Sequence, residues 1–62
     1  MIKFHRSEML GYNYEVFENK KPTQYFIANE NDWWIVFEGK YRIEKFGSLR
    51  KAKEFIINKL KI

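Results

Sequence analysis

The chain has no cysteine, a single proline, three glycines, one histidine (His5) and one aspartate (Asp32). Without thiols there is neither a disulfide framework nor a thiolate metal site. One histidine and scattered carboxylates do not supply convergent metal ligands, so no metal is expected. The same scarcity excludes a hydrolytic triad within the chain, because His5 lies near the start and Ser7 and Ser48 have no base beside them in the sequence. Glu15 and Glu18 are three apart on an extended segment and point to opposite faces. Glu30 and Asp32 fall in a polar turn, so no two carboxyls face each other at a working separation. Gly11, Gly39 and Gly47 are isolated and form no phosphate-cradling loop. The chain reads as a non-enzyme that needs no cofactor.

Long apolar runs are also missing. The longest, Trp33 to Phe37, is far short of the ~20 residues that cross a bilayer. Met1 to Ser7 is mixed polar and unlike a signal peptide. A soluble, cytoplasmic protein with no membrane partner is the expectation.

Aromatic residues and uneven charge are present in excess. Six Phe, four Tyr and two Trp make 19% of the 62 residues, and each buried ring removes roughly 150–250 Å² from water. One small core cannot hide them all, so some must meet solvent, a ligand or another subunit. From Lys40 onward eight Lys/Arg face two Glu, a net charge of +6; residues 1–39 carry four against six acids, a net of −2. A surface polarised in this way suits an anionic partner.

Length allows one domain, residues 1–62. Its periodicities predict an α+β fold: a three- or four-stranded antiparallel meander with one C-terminal helix packed on one face. Strands are expected at about 12–18, 24–28, 33–37 and 41–46. Residues 2–6 admit a further strand, with Ile2 and Phe4 alternating against Lys3 and His5. Polar turns are expected over Asn19 to Thr23 and Asn29 to Asp32. Around Glu38-Gly39-Lys40, loop length decides which faces match. A two-residue turn groups Trp34, Val36, Tyr41 and Ile43. A three-residue loop groups Trp33, Ile35, Phe37, Tyr41 and Ile43 and leaves Trp34, Val36, Glu38, Arg42 and Glu44 opposite. The second split is the more amphipathic and is preferred, with Trp33 in the core and Trp34 on the open face.

A helix over 49–61 follows, with Ser48 as N-cap. Leu49, Ala52, Ile56 and Leu60 form its apolar stripe, flanked by Phe55 and Ile57, and Lys53 and Lys59 border it. The expected core is Tyr14, Val16, Tyr25 or Phe26, Ile27, Trp33, Ile35, Phe37, Ile43, Leu49, Ala52, Ile56 and Leu60.

The segment Phe46-Gly47-Ser48-Leu49-Arg50-Lys51-Ala52-Lys53-Glu54-Phe55 resembles the strand-to-helix junction of the arm-site DNA-binding domains of phage tyrosine recombinases. There an aromatic ends the sheet, Ser or Thr caps the helix, and an Ala faces the sheet before the next aromatic. The plant ethylene-response type of DNA-binding domain is similar. The resemblance implies that the uncovered sheet face enters the major groove, with Trp34 and Arg42 in contact and Lys40 and Lys45 near the ends. Glu15, Glu38 and Glu44 would stand on or beside that face. A free-standing domain of this size also resembles small accessory proteins of phages and mobile elements, many of which bind a host protein.

The function expected is therefore a non-catalytic binding module for nucleic acid, using Trp34, Lys40, Arg42, Lys45, Arg50, Lys51 and Lys53. The alternative is a protein-binding module that meets an acidic host protein, or a second copy of itself, through the open sheet face.

Overall fold

Three two-residue turns set the architecture of this protein, whose computed structural model describes residues 1–61. Asn19 and Lys20 both have positive φ (52° and 70°), as do Asn31 and Asp32 (50° and 67°), the signature of type I′ hairpins. In the third turn Gly39 is at φ 62° in the first central position, as type II′ requires. Primed turns match the right-handed twist of strands and let both arms pair down to the turn. The strands are β1 (Ile2–Arg6), β2 (Tyr14–Glu18), β3 (Lys21–Glu30), β4 (Trp33–Glu38) and β5 (Tyr41–Phe46), followed by the helix α1 (Leu49–Leu60). They form one antiparallel sheet in the order β1-β2-β3-β4-β5.

The α+β fold with one C-terminal helix stands, but the sheet has five strands rather than three or four, the segment 2–6 being β1. Moreover, β3 runs from Lys21 to Glu30, well beyond the expected 24–28. The turns are shorter than expected because Asn and Asp enter the left-handed region at low cost, which frees Asn29 and Glu30 to pair. Pro22 sits near the start of β3, opposite Phe17 and beside an irregularity in the β2–β3 ladder. There Thr23 Oγ1 donates to Val16 O (2.7 Å) and accepts from Tyr25 N (3.2 Å), satisfying two groups that regular pairing leaves open.

The third turn overturns the preferred hairpin register. Glu38 pairs with Tyr41, so the loop holds two residues, Gly39 and Lys40. Phe37 then opposes Arg42, and a bulge sets two residues of β5, Ile43 and Glu44, against Val36 before Ile35 meets Lys45 and Trp34 meets Phe46. Trp34 and Val36 consequently share a face with Ile43 and Phe46. Trp33, Ile35 and Phe37 lie on the opposite face with Arg42 and Lys45.

Val16, Ile27, Val36, Ala52 and Ile56 form the central core, and Trp34, Tyr14, Ile43, Phe46, Leu49, Phe55 and Leu60 pack around it. The helix contributes Ala52 and Ile56 to this cluster and lies against β4 and β5. Ser48 caps it in extended conformation, its Oγ accepting from Lys51 N at 3.3 Å. Lys61 N donates to Ile57 O at its other end. Trp33, expected in the core, is 45% exposed. Ile35 and Phe37 are buried, but in a second cluster with Ala28, against which Tyr12 and Phe26 pack.

That second cluster is covered by the β1–β2 connection. Met9 to Tyr12 is a turn closed by Tyr12 N donating to Met9 O (3.3 Å), and Gly11 at φ 91° supplies the positive φ that a type II turn needs at its third residue. Asn13 then extends the β2–β3 ladder, its N donating to Ile27 O (2.8 Å) and its Oδ1 accepting from Asn29 N (2.9 Å). Held there, Tyr12 lies 4.7 Å from the Phe26 ring and 5.1 Å, edge to face, from Phe37.

Candidate binding surface

On the outer sheet face, Trp33 and Lys45 are diagonal neighbours across β4 and β5, because Lys45 pairs with Ile35. Lys45 Nζ lies 4.6 Å from the Trp33 ring centroid, within cation–π range. The chain runs from Lys45 through Gly47 and Ser48 into the first helical turn, where Arg50 and Lys51 are exposed and no acidic residue is present. A helix start attracts negative charge. Two cations there oppose the dipole and leave that end of the domain strongly positive.

Arg42 is placed differently. Its Nη2 donates to Glu30 Oε1 at 2.7 Å, the only salt bridge among the described residues, and its guanidinium lies 5.6 Å from the Phe37 ring. It roofs the outer cluster, and its charge is already answered. An exposed pair of this kind stabilises little.

The expected site residues are therefore dispersed. Lys45 is near the end of β5 on the outer face, Arg50 and Lys51 begin the helix that packs on the other face, and Arg42 is tied to Glu30. Lys40 occupies the β4–β5 turn at the other end. Lys53 is on the helix side, its Nζ 5.2 Å from the Phe4 ring and 5.4 Å from Tyr14. Trp34, expected as the exposed contact, is half-buried against the central core with its ring 6.3 Å from Tyr14. Nor is the outer face an open aromatic plane, because Tyr12, Phe26 and Arg42 close its middle. Trp33 was missed as a surface residue. The signal that marks it is Gly39, whose place as first of two turn residues selects the register that turns Trp33 outward.

Tyr25 pairs with Glu38 across β3 and β4; partial burial, reinforced by the Glu38 charge, raises its hydroxyl above the ordinary tyrosine value. Among the described residues no three His, Cys, Asp or Glu converge as metal ligands, and no helix is long and apolar enough to cross a membrane. The chain matches no family model, no curated protein and no solved structure.

Proposed function

We propose that this protein is a non-catalytic module that binds single-stranded nucleic acid, stacking a base on Trp33 and meeting phosphates with Lys45, Arg50 and Lys51. The observation that carries the reading is the exposed Trp33 ring with Lys45 Nζ 4.6 Å from its centroid, next in sequence to a helix start bearing only basic charge. Aromatic platforms beside cations are how single strands are held without sequence preference, each stacked base contributing about 1–3 kcal/mol. The mode implied by the recombinase resemblance, a bare sheet laid into a duplex groove, is less favoured. Tyr12 and the Arg42–Glu30 pair stand on that face, and Trp34 is turned away from it.

Fluorescence titration of Trp33 with oligothymidylate at increasing salt tests this. Three phosphate contacts on a single strand give a log–log slope of about −2. Trp33→Ala, followed by anisotropy of a labelled oligothymidylate, is expected to lose at least about fivefold in affinity. Affinity unchanged between about 50 and 200 mM salt, or retained in Trp33→Ala, overturns the reading.

A second reading, a protein-binding module, is favoured by one feature. Leu10, at the tip of the Met9–Tyr12 turn, is 99% exposed, and Met9 beside it is exposed too. It predicts a concentration-dependent mass by light scattering that Leu10→Ser abolishes.

A further inference from the structure

The outer face has a second aromatic–lysine pair at its far corner. In β2, Tyr14 and Val16 turn toward the helix side, so Glu15 and Phe17 turn outward. Lys3 stands directly opposite Phe17 across the β1–β2 ladder, and His5 opposite Glu15. The His5 and Phe17 rings meet edge to face at 4.9 Å. With Lys20 from the adjoining turn these residues line an open hollow of about 750 Å³, within the ~300–1,000 Å³ of small-ligand sites. Neither Lys3 nor Lys20 is in a salt bridge among the described residues.

We propose that this hollow is a second nucleotide subsite, so that one strand crosses the outer face diagonally from Trp33 to Phe17. The proposal rests on the single-strand reading above. Phe17 supplies the stacking surface, and Lys3 and Lys20 meet the phosphate. Phe17 faces Pro22 and Trp33 faces Glu30, so the two rings are separated by the stretch of β3 between those residues. That is about 25 Å along the strand at ~3.3 Å per residue, with about 10 Å more across two strand spacings. Spanning it takes several nucleotides, within the ~4–16 that one small stacking domain occupies. Between them lie Ala28, Ile35 and Phe37, with the half-buried Tyr12 and Phe26 rings against them and Arg42 over Phe37. Of the acids on this path, Glu30 is paired with Arg42, and Glu15 lines the hollow with no salt bridge among the described residues.

Affinity for oligothymidylates of about three and about ten nucleotides, at about 50 mM salt, decides the matter. The longer strand is expected to bind the full chain at least about tenfold tighter than the shorter. Phe17→Ala and Lys3→Gln should each reduce that advantage while leaving the short strand's affinity at Trp33 unchanged. Should Phe17→Ala not fold, Lys3→Gln, at an exposed position, carries the test alone. Equal affinities for both lengths, or an advantage untouched by either substitution, overturns the second subsite and leaves the Trp33 site standing. Failure of both strands to bind rejects the single-strand reading and this subsite with it.

Discussion

The two faces of the sheet are sealed by different means. On one, α1 sets Ala52 and Ile56 onto Val16, Ile27 and Val36, and all five are essentially inaccessible. On the other, Ala28, Ile35 and Phe37 are buried as well, Phe37 less completely at 9% exposed, although no regular element covers them. Tyr12 lies over Phe26 and Phe37, and Arg42 crosses Phe37 to reach Glu30. One ring and one long charged stem replace a helix at the centre of that face. They do not reach its corners, where Trp33 is exposed and Phe17, half-buried beside His5, lines the hollow. A chain of 62 residues cannot cover both faces with helices, because small domains bury only about 60% of the surface their unfolded chains expose. The functional surface proposed for this protein is what the cheaper cover leaves open.

The contrast makes graded predictions. Ile56→Ala removes a fully buried side chain from beneath the helix and is expected to cost about 2–5 kcal/mol. That is most of the margin of a domain this small, so chemical denaturation should find the variant largely unfolded near room temperature. Tyr12→Ala should cost about half of the ~3–5 kcal/mol that a fully buried ring loses, since Tyr12 is only half-buried. Tyr12→Phe should be nearly neutral, because the hydroxyl makes no hydrogen bond among the described residues, while the ring contacts with Phe26 and Phe37 are kept. If Tyr12→Ala proves as costly as Ile56→Ala, the outer cluster is a core of equal rank and the distinction between the faces fails.

Gly39→Ala probes what assigns residues to the faces. An added Cβ meets nothing within 4 Å, so its cost is that of φ 62° alone, about 1–2 kcal/mol. Quenching in single-tryptophan backgrounds should still find Trp33 exposed and Trp34 shielded, because a one-residue slip would exchange the two. Trp34 exposed and Trp33 shielded would mean that the turn, not the packing, holds the register. The smallest effect concerns Tyr25. With its hydroxyl raised above the ordinary value by burial and by Glu38, the fold favours the neutral form. Its contribution is fully present below about pH 10, the unfolded tyrosine value, and is lost as pH climbs through the higher folded value. Denaturation midpoints measured from pH 8 to 11 should therefore fall less steeply in Tyr25→Phe than in the parent.

Much of the architecture was legible in local pattern. Ser48 ahead of Leu49, Ala52, Ile56 and Leu60 marks both the start and the buried stripe of the helix, because capping and 3.6-residue periodicity are short-range properties. The hairpin at Gly39 was harder. Both registers place large apolar groups together, and the amphipathic argument favoured the wrong one by assuming that only one face could be buried. Apolar residues on both faces of β3 and β4 already signalled two covers. Tyr12, the second cover, was misplaced by periodicity: the strand expected over 12–18 put it on the side of Tyr14 and Val16, but β2 starts only at Tyr14, and Tyr12 packs with the other cluster.

Composition and pattern alone determined that this is an α+β domain with a C-terminal amphipathic helix, strongly basic from Lys40 onward, with no cysteine and a single histidine. Those properties depend on residue identity and near neighbours. Tertiary structure alone decided which tryptophan faces out, that Lys45 meets Trp33 while Arg42 is taken by Glu30, and that Lys3 and Phe17 open a hollow at the far corner. Each depends on strand register and on a side chain arriving from a distant segment, and a single residue of slip would rearrange them all.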